Sequence, residues 1–468
     1  MSQTKPNIIW ITLDSVRADR ASVHGYERET TPHLERIASL ADGRAFDDCI
    51  SHGMWSLASD ASVLTGTYPA HHGVGLHNET LPSELDTVPE LFGAAGYRTA
   101  GLSFNGYFNE STGLDRGFDE FQWVNPTDYT KMLTRPLFYR YLSNVRKHSN
   151  GYLSLNRRDR YGFFEREMAK QQVDDLADDD PFFFFAHFQG AHVPYSPPLS
   201  HLDRFTDDIE MSTEEAAEFA YEVSDNYYAE MADGCEFTER ETAAIDAMYD
   251  ALVAYVDEQV GALFDYIRSS DLGETVVVIT ADHGDLLGEN GLFAHQISLH
   301  DGLVNVPLVV YGSDALLDTD TEVVQHIDVL QTLLSSVGGR TEQLQGVDLR
   351  DEERELALAQ RGSETYQTAM QEIKQHNPQF DDSGFHSERM HSVRGTEFKL
   401  CRSADATELF ALPDERTDVA AEYPDVVARY ESYLETKLDE FATLDTADSQ
   451  DVSQDVKQQL ADMGYVVE

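Results

Sequence analysis

An α/β fold, with a central, mostly parallel sheet flanked by helices and a small antiparallel subdomain near the C-terminus, is what this 468-residue sequence predicts. Three observations carry it. Short apolar runs bounded by turn residues alternate with helical stretches, the rhythm of strand–helix–strand units. The runs are too apolar to have one wet face, so they read as strands covered on both sides. Beyond about residue 340 the rhythm changes to short β-like pieces, HSVRGTEFKLCRS and TELFALPDE, each bounded by turn residues.

In chain order, NIIWITL at Asn7–Leu13 is the first strand, followed by Arg98–Ser103 and by strands at 182–187, 275–280 and 307–311. Helical patterns fill 34–41, 87–95 and 244–267. Two long acidic segments rich in Tyr and Arg, 125–180 and 199–239, interrupt the strand rhythm and read as helical insertions that either cover a site mouth or decorate the surface. The apolar helix at 327–337 ends in paired glycines, a stop signal that also marks a boundary. The expected organisation is therefore a catalytic domain at 1–340, a small α+β subdomain at 341–441 with a helix at 424–441, and a linker with a terminal docking helix at 442–468.

Composition narrows the function. Acidic residues outnumber basic ones 85 to 34, a net charge of -51 spread along the chain. Such a surface repels nucleic acid and anionic membranes. In molar salt the Debye length falls to about 3 Å and the self-repulsion is screened, so the charge reads as that of a halophile's cytoplasmic protein. The three cysteines, Cys49, Cys235 and Cys401, form neither a disulfide framework nor a CxxC pair. No stretch has the apolar length of a membrane span, and the N-terminus enters the first strand without a signal-peptide cleavage region. Oligomeric state is not legible.

Chemistry gathers at the strand ends. NIIWITLDSVRAD delivers Asp14, and TVVVITADHG delivers Asp282 and His283, to the carboxyl ends of predicted strands, where open α/β sheets place their ligands. Two carboxylates and an imidazole suit one divalent metal ion, with Ca, Mn, Mg and Zn all open. WSLASDASVLTG reads as a helix start with Ser56 in the N-cap position and with Ser59 and Asp60 in the first turn. A capping role for Ser56 is the ordinary explanation; a nucleophile aided by the helix dipole is the sharper one. His192 follows the buried run in FFFFAHFQGAHVPY, and His295 follows the Asp282–His283 pair in GLFAHQ. His71, His187 and His300 read as structural.

The ordered set LDSVRAD, WSLASDASVLTGTYPAHHGV, GYRTAGLSFNGYFNESTGLDRGFDEF, HFQGAHVPY, ITADHGDLLGENGLFAHQISLHDGLVNVPLVV and HIDVLQTLL resembles the sulfatase family of the alkaline phosphatase superfamily, to about residue 339. The resemblance implies an alkaline-phosphatase-like sheet, with Asp14, Ser56, Asp282 and His283 as metal ligands and Ser56 as nucleophile. It makes His192 and His295 catalytic, one near the leaving oxygen and the other against the ester's anionic group, and Asn105 a substrate contact. Typical members carry x-Pro-Ser-Arg after the nucleophile, which directs its oxidation to formylglycine. Here Ala58 and Asp60 stand in the Pro and Arg places, which counts against formylglycine at residue 56, and Ser15 replaces the second aspartate of the usual pair. These departures resemble the branch with a Trp-Ser/Thr nucleophile stretch. The expected function is a metal-dependent sulfatase-like hydrolase acting on an anionic ester, a sulfated carbohydrate among the candidates. Alternatives are a phosphodiesterase, or a phosphoglycerol- or phosphoethanolamine-type transferase, using unmodified Ser56, and a degenerate metal- or glycan-binding protein. Asp60 is the objection, because a carboxylate in the first helical turn repels an anion.

Overall fold

In the computed structural model, which describes residues 5–124, 134–149, 161–177 and 181–441, the apolar runs assemble into a seven-stranded sheet. Its strands are β1 (Asn7–Leu13), β2 (Gly43–Ala45), β3 (Arg98–Ser103), β4 (Glu120–Trp123), β5 (Phe182–Phe188), β6 (Thr275–Ala281) and β7 (Leu308–Tyr311). They lie in the order β2-β7-β6-β1-β5-β3-β4. The neighbours from β6 to β4 are parallel, and β7 runs antiparallel to both β6 and β2. Every residue of β1 is buried. That is the physical reason for NIIWITL: a central strand covered on both faces has no solvent side on which polar alternation could survive.

The register sets the site. Leu13 at the end of β1 pairs with Phe188 of β5 and with Ala281 of β6, so the residues that follow, Asp14, Gln189 and Asp282, leave the sheet at one edge. His187 lies one position inside that edge, paired with Thr12 of β1 and Ser103 of β3.

The helices around the sheet are α1 (Pro32–Ala38), α2 (Ser56–Thr65), α3 (Val88–Ala94), α4 (Gly162–Leu176), α5 (Thr213–Asp225), α6 (Glu239–Ser269) and α7 (His326–Ser336). α6 begins five residues before the predicted 244, because its start is set by a capping box between Thr238 and Glu241 rather than by the first apolar repeat. It packs against α1, α4 and α5. The described parts of the two acidic insertions contain helices, α4 in the first and α5 in the second, the latter preceded by turns over 199–211.

Four antiparallel strands, β8 (Ala357–Arg361), β9 (Met390–Arg394), β10 (Phe398–Arg402) and β11 (Thr407–Ala411), form the predicted C-terminal sheet, with α8 (Ser363–His376) and α9 (Pro424–Glu440). Leu358, Val393, Leu400 and Leu409 share an apolar cluster with Tyr430 and Leu434 of α9. Polar contacts join this sheet to the rest. Gln360 accepts from the Ala70 N–H at 2.8 Å, and Gln325 Nε2 donates to the Ile50 and Leu358 carbonyls. Lys399, fully buried, bonds Asp301 at 2.7 Å and Glu415 at 2.8 Å. The expected linker and terminal helix at 442–468 lie outside the described residues. Among the described residues no helix is long and apolar enough to cross a membrane.

Candidate functional site

Three strand ends and one helix start converge. Asp14 and Asp282 follow β1 and β6, and both are buried, as is His283. His283 Nε2 lies 3.6 Å from Asp14 Oδ1, 3.5 Å from Asp282 Oδ2 and 3.3 Å from Ser56 Oγ. Its Nδ1–H donates to the Gly284 carbonyl at 2.9 Å, which aims the Nε2 lone pair into the cluster. Ser15, the residue after Asp14, is held at φ 59°. A non-glycine residue in that region is strained, and such strain gathers at functional sites. Its hydroxyl donates to Asp14 Oδ1 at 2.9 Å and its N–H to Asp282 Oδ1 at 3.4 Å.

Ser56 is not the helix cap. Trp55 takes the N-cap position with extended backbone, and Ser56 is the first residue of α2, its hydroxyl turned to His283 rather than back to the helix N–H groups. Small residues let other backbone approach from behind: a Cβ on Gly75 would meet the Ala58 Cβ at 2.6 Å. Ser59 bonds the Ser51 hydroxyl at 3.0 Å, and Ser51 in turn donates to the Asp282 carbonyl. Asp60 lies in the second turn, past the helix start where an anion would bind. Its Oδ2 sits 3.3 Å from His187 Nε2. The objection that it faces a bound anion is therefore removed.

His192 and His295 sit across the cluster. The ring centroids of His295 and His283 are 4.5 Å apart, and those of His192 and His295 5.1 Å. The loop carrying His192 is pinned to β1: Ala191 N–H donates to the Asp14 carbonyl, and Gly190, at φ 56°, passes so close that a Cβ there would lie 2.0 Å from the same oxygen. His192 Nδ1–H donates to its neighbour's carbonyl, Val193, at 2.6 Å, leaving Nε2 as the basic nitrogen. His295 Nδ1 bonds Asp285 Oδ1 at 2.6 Å, and Tyr195 OH donates to the other oxygen of Asp285 at 3.0 Å. Arg17, from LDSVRAD, ties the loop after β6 in place through the Asp285 carbonyl and Glu289. Asn105 donates through Nδ2 to Asp14 Oδ2 at 3.4 Å and accepts from the Tyr107 N–H.

Two of these residues carry weight that the sequence did not reveal. His187, read as structural, lies between Asp60 and Asp282, 3.5 Å from Asp282 Oδ2. Its signal was available: a polar ring inside the buried run FFFFAHF is costly unless it has a task. Asp285 is not singled out by the sequence, although its place two after His283 sets it beside the site imidazoles.

Burial works against this much charge. It raises Asp14 well above the usual carboxylate range, with Asp282 adding to the effect, and pushes Asp60 and Asp285 each up to about 6. Burial also pushes His192 down to about 3 and His295 to about 4, so both rings are neutral at rest. Burial opposes charge on His187 too, but Asp60 and Asp282 hold it well above the usual imidazole range, so a single imidazolium faces four buried carboxylates and leaves room for further positive charge. The donor set fits a divalent cation: atoms sharing an ion with bonds of about 2.1 Å lie about 3–3.5 Å apart, the spacing found around His283 Nε2. Asp14, His187 and Asp282 also lie within 4.8 Å of one another, as do His283, Asp285 and His295.

The Sulfatase family model matches residues 6–339. A choline-sulfatase of Rhizobium meliloti is 26% identical over 363 residues, 72% of this chain and 69% of that protein. A phosphonate monoester hydrolase of Agrobacterium radiobacter superposes with a TM-score of 0.68 at 18% identity, covering 93% of this chain and 96% of the other. A structure solved with its substrate D-glucosamine-2-N,6-O-disulfate superposes with a TM-score of 0.65 at 20% identity, over 93% and 98% of the two chains. Structural likeness at these identities establishes the fold.

Proposed function

The chain belongs to the sulfatase family, and from that premise we propose that it is a metal-dependent sulfuric ester hydrolase forming a covalent intermediate on Ser56. The observation that carries the reading is the position of Ser56 Oγ at the start of α2, 3.3 Å from His283 Nε2 and beside Asp14 and Asp282. Asp14, Asp282, His283 and Ser56 would hold one divalent ion, which when bound lowers the pKa of the serine hydroxyl and neutralises charge on the ester oxygens.

The chain's own residues do the rest. Ser56 forms the bond to sulfur while the bond from sulfur to the alcohol oxygen breaks, with the helix start of α2 favouring the anionic group. His295, oriented by Asp285, and His192, oriented by the Val193 carbonyl, face the ester group and the leaving oxygen. A neutral ring with a fixed basic nitrogen accepts a proton; it donates one only after taking it up. The proton that Ser56 loses ends on the leaving alcohol oxygen, and His192 serves as its carrier, accepting it and handing it on. Asn105, bonded to Asp14, contacts the substrate from the β3 side. Water then attacks sulfur, and Ser56 regains its proton.

A phosphoric ester reading has its own support. Ala58 and Asp60 stand where formylglycine formation needs Pro and Arg, and a plain serine attacks phosphorus by the same in-line route. The chain also superposes on a phosphonate monoester hydrolase. The substrate class we infer is an anionic ester on a carbohydrate, in keeping with the disulfated glucosamine bound by one structural neighbour. From the charge of -51 we place the protein in the cytoplasm of a halophile, and we take 1–340 as the catalytic domain, buttressed by the sheet of 341–441. The test is turnover of aryl sulfate, aryl phosphate and aryl phosphodiester in molar KCl by the wild type and Ser56→Ala. Sulfate turnover lost in the variant supports the first reading, and turnover of a phosphoester alone moves the assignment to the second. Turnover that survives Ser56→Ala overturns both.

A further inference from the structure

His187 and Asp60 form a pair that nothing in the reaction above employs. Both side chains are fully buried, one at the end of β5 and the other in the second turn of α2, and they meet beside Asp282. A simple imidazolium–carboxylate bridge explains them poorly. Charge-assisted N–H···O bonds run about 2.7–2.9 Å, and the His295–Asp285 contact in this same site is 2.6 Å. His187 Nε2 instead lies 3.3 Å from Asp60 Oδ2 and 3.5 Å from Asp282 Oδ2. One ring N–H shared between two carboxylates at these lengths makes two weak contacts rather than one strong bridge. Among the described residues neither oxygen of Asp60 and not the Nδ1 of His187 has a hydrogen-bond partner, and the Phe108 ring packs against His187. A buried carboxylate left this way costs far more than a paired one.

The spacing is that of atoms around a shared cation. It matches the 3.5–3.6 Å separations of His283 Nε2 from the Asp14 and Asp282 oxygens, and Asp14, His187 and Asp282 lie within one ligand cluster. Ser15, next to Asp14, spends its hydroxyl on Asp14 itself at 2.9 Å.

We propose that His187, through Nε2, is a direct ligand of the cation held by Asp14, Asp282, His283 and Ser56, and that Asp60 joins it from α2. The inference rests on the metal-dependent reading above and deepens it. A centre with two imidazoles and three carboxylates differs in kind from an all-oxygen one: nitrogen donors suit Zn or Mn-type ions, whereas Ca and Mg prefer oxygen. The chain thereby selects a transition metal, and Asp60 belongs to the metal site rather than to the anion's surroundings.

The first experiment needs no variant. The metal-stripped full chain is loaded with Zn in molar KCl, and X-ray absorption fine structure counts the imidazoles on the bound ion. Two per Zn, at one Zn per chain, is the expected result. One imidazole per Zn overturns the inference while leaving the metal-dependent reading standing, and no stoichiometric binding overturns both. Chelator competition then compares wild type with His187→Ala and Asp60→Asn, each checked for native circular dichroism. The wild type should prefer Zn to Ca, and His187→Ala should lose Zn affinity by at least about tenfold, the lower end for disturbing a metal site, with Ca affinity changing less. Equal Zn affinity in wild type and folded His187→Ala refutes the assignment.

Discussion

Asp285→Asn probes the site most cleanly, because it changes one charge and almost no volume. In the wild type Asp285 accepts from His295 Nδ1–H at 2.6 Å and from Tyr195 OH at 3.0 Å, so a carboxylate holds the ring from below and is itself held. Asparagine can still accept from His295 through its carbonyl oxygen, while its NH2 meets a tyrosine hydroxyl that must turn to accept. The loss is therefore the charge-assisted part of a short bond. Hydrogen bonds to charged groups contribute about 1.5–3 kcal/mol, and at about 1.4 kcal/mol per decade the expected fall in kcat/KM is about 10- to 150-fold. The assay is steady-state turnover of the best aryl ester in molar KCl, with thermal melting as the folding control. A second measurement isolates the mechanism: in a His295→Ala background the added Asp285→Asn should cost almost nothing, since residues acting as a unit are not additive. Native-like melting with kcat/KM within twofold of wild type would refute the orienting role, and so would full additivity of the two substitutions.

Lys399→Met takes its cation from the buried carboxylate of Glu415, while Asp301 keeps Arg394 at 3.3 Å, and breaking a buried pair this way costs about 3–5 kcal/mol; a denaturant midpoint close to wild type would contradict the pairing. Acid should unfold the protein in a defined window. Burial opposes ionisation of Glu289, but Arg17 wins and holds it down to about 2. A carboxylate lowered in the folded state adds stability above its unfolded pKa of about 4.3, and that contribution disappears as pH falls toward about 2. The acid limb of a stability–pH curve should therefore shrink in Glu289→Gln, and an unchanged limb would speak against the pair. Finally, with 85 acidic residues against 34 basic, raising KCl from about 0.1 M to about 1 M should raise the melting temperature as the Debye length falls from about 10 Å to about 3 Å. A flat or falling melting temperature across that range would count against the halophilic reading.

The strands and the site residues they deliver could be read directly because both depend on short-range pattern. A run such as NIIWITL announces a covered strand, and the first polar residue after it, Asp14, must sit at the sheet edge. The same logic placed Asp282 and His283 after TVVVITA. It failed for Ser56 and Asp60, where a shift of one residue in the helix start decides what each side chain faces. With Trp55 as the cap, Ser56 turns to His283, and Asp60 moves into the second turn against His187. The start of α6 was misplaced for a related reason, since a polar capping box rather than apolar spacing began the helix.

By itself the sequence determined the central strands, the ordered motifs and the net charge of -51, because each follows from local composition and from burial demanded of every residue in a run. Only the tertiary structure decided the company each side chain keeps. Asp285 becomes an orienter because β6 and the loop bearing His295 fold onto each other, and His187 meets Asp60 although 127 positions separate their numbers in the chain. Such pairings arise from strand order and register, β5 lying beside β1 with β6 on its other side. Those are long-range choices, made by the packing of whole elements, and no local pattern encodes them.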